Sequence, residues 1–225
     1  MWSEASELLH ARGAYGVAHE RVPWPRLVAF VAGGGALYGL AMGSLGGRGL
    51  GALYSSVKVP ILLTGATGAC IANYWVVLAL LGLREDFRAA LRGILAAQGT
   101  LALALASLAP VTAFLYACGL SYPTALLWNA ACFALASLAA QRTLRAHFRP
   151  LVAREPRHRR GLAAWLVLYG FVGIKLGWVL RPFVGDPALP TSFLREYQWR
   201  EDPFANLFWT AVGLAASVVR ALRGG

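Results

Sequence analysis

Lys175 stands inside an apolar run, "GIKLGWVLRPFVGDP" (residues 173–187), and the chain has only one other lysine, Lys58. An ammonium near the middle of a bilayer costs about 3 kcal/mol or far more, so such a lysine is a candidate for moving protons or ions. Asn73 and Asn129 lie in other apolar runs and are the side chains most suited to line a path with it. Against a relay, all ten acidic residues fall in tails or connections, and a charge relay ordinarily includes an intramembrane carboxylate. An anchoring role fits the same residues. Lys175 precedes Arg181 by six positions, about 9 Å of helix rise, and its four-carbon stem can carry the charge most of that way. Arg181 suits a helix C-terminus, Pro182 stops the helix, and Trp178 and Phe183 suit an interfacial belt. Gly185, Asp186 and Pro187 make a turn in which Asp186 is placed to pair with Arg181. Lys58, Asn73, Asn129, Lys175, Trp178, Arg181, Phe183 and Asp186 are therefore the candidate functional or partner-binding residues.

Other chemistries find no support. His10, His19, His147 and His158 match no HExxH or nucleophile arrangement. Cys70, Cys118 and Cys132 show no CxxC spacing, so neither a zinc site nor a disulfide framework is expected. "GGGALYG" follows no strand and precedes no GK[ST], which excludes a phosphate-binding loop. The expectation is a protein without catalytic residues, metal or cofactor.

These side chains must be positioned by membrane helices. Of 225 residues, 58% are hydrophobic and 14% charged, with mean hydropathy +0.55, whereas soluble domains carry about 25% charged residues. A span needs about 20 apolar residues. Five runs qualify, at about 27–47, 59–82, 93–118, 122–141 and 162–180. A sixth, about 204–222, carries Asn206, Thr210, Gly213, Ser217 and Arg220 on one face, and fits either a span or a helix lying in the interface. Residues 1–26 read as a cytoplasmic segment with a possible surface helix, and 27–222 as a single transmembrane bundle, all-α and polytopic with five or six spans.

Thirteen Lys and Arg residues lie in 1–26, 83–92 and 142–161, against five in the opposite connections. The positive-inside rule predicts a cytoplasmic N-terminus in the cytoplasmic (inner) membrane. The net charge of +11 is thus read as topology and contact with anionic lipid head groups, notably at 142–160, and not as nucleic-acid binding.

Gly35, Gly39, Gly43, Gly47 and Gly51 recur every four residues, which predicts a glycine-zipper groove along the first span. Its partner is a second copy, another membrane protein, or a helix of the same chain. Gly170, Gly173 and Gly177 make the fifth span a candidate. Pro110 is expected to bend the third. The 24 residues "RPFVGDPALPTSFLREYQWREDPF" are long enough to fold back as a lid or docking surface.

The stretch "KVPILLTGATGACIANYWVVLALLGLREDFRAALRGILAAQGTLALALASLAP" (58–110) resembles the central hairpin of Yip1-type membrane proteins, where a span ends in a short Leu-Gly, Phe-Arg connection. With "GWVLRPFVGDP", the chain is more similar to an uncharacterised bacterial multi-span family loosely related to Yip1. The resemblance implies a five- or six-helix bundle and no activity. The expected function is a non-catalytic scaffold, assembly factor or partner-binding subunit; the alternative is a small-solute or ion transporter built on Lys175 and the intramembrane asparagines.

Overall fold

The computed structural model describes residues 24–185 and 190–194, which form an all-α helical bundle with no strand among them. Five helices follow in order: α1 (Trp24–Gly43), α2 (Gly49–Leu80), α3 (Phe87–Ala117), α4 (Tyr122–Arg154) and α5 (His158–Val179). All five are long and apolar enough to cross a membrane. The turns after α1 and α3 and the segment after α5 share one end of the bundle, the Arg181 end. The α2–α3 and α4–α5 connections share the other, the Asp86 end.

The α1–α2 hairpin organises the rest. Leu45–Gly47 forms a short 3-10 turn, with Gly46 and Gly47 at φ of 71° and 72°. That left-handed backbone is open to glycine, and "GGRG" offers the helix little propensity, so α1 stops here. The chain then reverses and α2 runs back against α1. A Cβ on Gly39 would lie 2.2 Å from the Ser55 carbonyl oxygen, so the two backbones touch. α1 also packs along α3, α2 along α5, and α3 along α4. One core, around Tyr38, Met42, Leu105 and Cys132, fills the Arg181 half; another, around Tyr74, Ile94, Phe148 and Trp165, fills the Asp86 half.

Several expected boundaries move. The second span begins at Gly49 and not near residue 59, because small residues at 51, 52, 55 and 56 let the helix form directly against α1. Lys58 therefore lies within a helix and not in a connection. The expected groove of five glycines is not carried by one helix. Gly35, Gly39 and Gly43 are on α1, Gly47 is in the turn, and Gly51 is on α2, facing Gly43. Nor is α5 the partner of that strip: Cβ atoms on Gly170 or Gly173 would meet nothing within 4 Å, and one on Gly177 would approach Leu62 of α2. The arginine-rich stretch from 142 is helical as far as Arg154, since Leu144, His147, Phe148 and Leu151 form a buried stripe. Residues 1–23 and the stretch 204–222 lie outside the described residues.

α2, α3 and α4 have 32, 31 and 33 residues, about 48 Å of rise against a hydrocarbon core of about 30 Å. Their ends must project beyond it. Pro60 and Pro110 lie inside α2 and α3.

Candidate functional site

Lys58 is fully buried, and Ser55 one turn before it is 1% exposed. Three positions apart, they share a face of α2. Ser55 Oγ donates to the Phe183 carbonyl, and Lys58 Nζ donates to the Pro182 carbonyl at 2.7 Å. The Lys58 ammonium also lies 5.9 Å from the Phe183 ring centroid and 5.0 Å from that of Phe193. Both are within cation–π reach, an attraction worth about 2 kcal/mol in desolvated surroundings. Tyr54 meets Phe193 edge to face at 5.3 Å, and Arg48 reaches Thr191 at 3.5 Å. The segment after α5 thus folds back over the first turns of α2, held by its own carbonyls and aromatic rings. Buried polar groups need partners, and here α2 and the returning chain supply each other's.

Deeper polar side chains bridge helices. Tyr38 on α1 donates to Asn129 Oδ1 on α4 at 2.7 Å, and Asn129 Nδ2 donates to Tyr116 Oη on α3 at 2.6 Å. Trp128 Nε1 donates to Thr112 at 2.9 Å. Thr100 and Thr143 join α3 to α4, and Tyr169 donates to Gln98 across α5 and α3 at 3.2 Å.

At the opposite end, Asp86 accepts from Arg154 on Oδ1 and faces His158 Nε2 at 3.0 Å on Oδ2. This single carboxylate ties the α2–α3 turn to the end of α4 and the start of α5. Beside it, hydrogen bonds from the Arg157 side chain and backbone hold the Glu155 carboxyl below the usual carboxylate range.

Two cavities open along α4, one bordered by α5 and the other by the segment that follows α5. The central one, about 450 Å³, is lined from α2 to α5 by residues including Gln98, Phe133, Trp165 and Gly173. The other, about 330 Å³, lies at the Arg181 end and is lined by Met42, Asn129, Arg181 and Phe183 among others. Leu62 and Phe133 line both, so the two cavities adjoin along α4.

The residues singled out in the sequence separate into groups. Lys58 and Phe183 meet directly, while Trp178 lies beneath the Arg181 guanidinium, 3.7 Å from its ring. Asn129 is buried in the tyrosine network, whereas Asn73 is exposed and bonds back to Ala69 of its own helix at 3.1 Å. Lys175 is exposed on α5, and neither it nor Asn73 lines the two cavities. Leu176 sits over Gly65, so Lys175 is about 12 Å short of the level of Asn73 along α2. Asp186 lies outside the described residues. Sequence reasoning gave Lys58 no buried role. The signal for one was the small-residue series Gly47, Gly51, Ser55, which continues the glycine spacing into Val59. Tyr38 was missed as a partner of Asn129 because the contact spans 91 positions, and Tyr116, 13 positions away across the α3–α4 turn, because no spacing rule pairs side chains on two antiparallel helices.

No family model matches the chain, and no curated protein or solved structure shows significant similarity to it. Its class, five apolar helices compatible with an integral membrane protein, rests on its own residues.

Proposed function

We propose that this is a protein of the cytoplasmic membrane, N-terminus inside, acting as a non-catalytic scaffold, assembly or partner-binding subunit. The carrying observation is that polar side chains within the apolar helices tie helices together, with Asn129 held by both Tyr38 and Tyr116. A frame cross-linked in this way favours a fixed shape over a moving one. Val167 and Phe171 of α5 are 74% and 54% exposed and offer a face to a second copy or another membrane protein. Arg142, Arg145 and Arg149 on the exposed side of α4 suit anionic head groups on the cytoplasmic side.

The adjoining cavities favour small-solute transport as a second reading. Reconstitution into liposomes separates the two. The scaffold reading expects proton and potassium flux equal to that of empty vesicles. It also expects a photo-crosslinker at Phe171 to capture one membrane partner, or a second copy, in fixed stoichiometry. Flux that Lys58→Met or Asn129→Leu abolishes would replace it with transport.

A further inference from the structure

We propose that the cleft along α4, bordered by α5 and by the segment after it, is a lipid site that takes one acyl chain of an anionic glycerophospholipid, with the head group at Arg181. The inference stands whether or not the scaffold reading does.

Access comes first. α4 and α5 make only a short contact, and the cleft reaches the outer surface of the bundle: Leu126 and Ala130 line its Arg181 part, Gly170 and Ile174 its central part, and all four are exposed. A molecule enters sideways, from where lipid chains lie.

Shape points to the kind of occupant. The central cavity follows α4 from Phe133 to Leu144, about 16 Å of rise, and the outer one follows it from Tyr122 to Phe133, a similar length. End to end they give an extended strip along α4 that a flexible acyl chain can follow.

Polarity narrows it further. Gln98 lines the central cavity but accepts from Tyr169, and Asn129 is engaged by Tyr38 and Tyr116. The remaining walls are largely aliphatic and aromatic, as expected of a site for an apolar ligand fixed by few polar contacts.

Charge then selects the head group. Arg181 lines the outer cavity just past the end of α5, whose 22 residues rise about 33 Å and so reach the head-group level. Arg48 and Lys58 lie at the same end, each bonded to the returning segment. Among the described residues the carboxylates, Glu85, Asp86 and Glu155, all lie at the opposite end, while Asp186, Glu196, Glu201 and Asp202 fall outside them. Arg181, the cation that lines the outer cavity, favours an anionic head group over a zwitterionic one by its charge.

The test uses full-length protein in phosphatidylcholine nanodiscs, doped with phosphatidylglycerol or phosphatidylcholine probes carrying the same diazirine acyl chain. The phosphatidylglycerol probe should label Leu62, Phe133 and Ile174 about fivefold more than its zwitterionic counterpart, the factor expected of one basic residue at an anionic surface. Arg181→Gln should remove that preference. Gly173→Phe should fill the cavity and suppress cleft labelling without lowering Tm, because nothing lies within 4 Å of its Cβ position. Gly170→Leu serves the same purpose if the phenylalanine variant does not fold. Cleft labelling no stronger than that of lipid-facing Leu127 and Val167, or unchanged by the filling substitution, would overturn the site. So would equal labelling by the two head groups, or cross-linking of cleft positions to a protein in native membranes.

Discussion

Gly43 and Gly51 face each other across the turn between α1 and α2, so closely that a Cβ on Gly43 would lie 2.3 Å from the Gly51 carbonyl oxygen. Because the obstacle is backbone, no rotamer change relieves it. Gly43→Leu must part the hairpin, at a cost of at least about 1 to 3 kcal/mol. The expected outcome is a clear fall in detergent melting temperature. Gly33→Leu on the same helix should be silent, since its Cβ position is open. Equal Tm values for the two variants would show that the hairpin contact is not tight.

Lys58 and Lys175 differ in burial, and substitution should separate them. Lys58→Met retains most of the volume but loses the bond to Pro182 and both ring contacts. Limited proteolysis should then cut faster within 181–194, with only a modest change in Tm. Lys58→Ala also leaves a void and should lower Tm by the equivalent of about 2 to 4 kcal/mol. Lys175→Met, on the exposed side of α5, should change neither reading. A proteolysis pattern unaltered by Lys58→Met would mean that the returning segment is held elsewhere.

Asp86 joins three elements through Arg154 and His158, which are unequal partners. Arg154 is 66% exposed and its attraction is screened, whereas the His158 side chain is 0% exposed and has Asp86 as its Nε2 partner. Asp86→Asn should therefore lower Tm more than Arg154→Gln, because it weakens the partner of a buried ring. Thermal melts of the two variants at neutral pH decide this. An equal or larger loss for Arg154→Gln would place the weight on the surface ion pair.

The legible part of this fold was what repeats or runs long. Apolar runs gave five helices because burying twenty residues in lipid leaves no other local option. Gly39 and Gly43 announced a close approach by their spacing, but not the partner. Nothing in a single glycine series says that the chain reverses at Gly46 and packs on itself. The same reversal hid Lys58, which looks like a loop cation until α2 is extended to Gly49. Lys175 drew attention through its apolar neighbours in sequence, yet sequence neighbours on a helix face all directions. Burial is decided by which face meets α2, and Gly65, Leu62 and Tyr74 mark that face through Leu176, Gly177 and Trp165. The cleft was not legible at all, since its walls come from four helices far apart in the chain.

Native Cys118 provides a direct test of orientation. It is exposed in the turn between α3 and α4, at the Arg181 end, while Cys70 and Cys132 are buried. With the N-terminus inside, an odd-numbered helix such as α3 delivers its C-terminus to the outside. An impermeant maleimide should then label Cys118 in intact cells. The opposite end needs an introduced site. Arg145 on α4 is exposed there. Arg145→Cys in a Cys118→Ser background should react only after permeabilisation. The proposed sidedness rests on the basic excess near 142–160, because arginines flanking a span favour retention in the cytoplasm during insertion. Labelling of residue 145 but not of residue 118 in intact cells would invert the bundle. It would also place Arg181, and the head group proposed for it, in the inner leaflet.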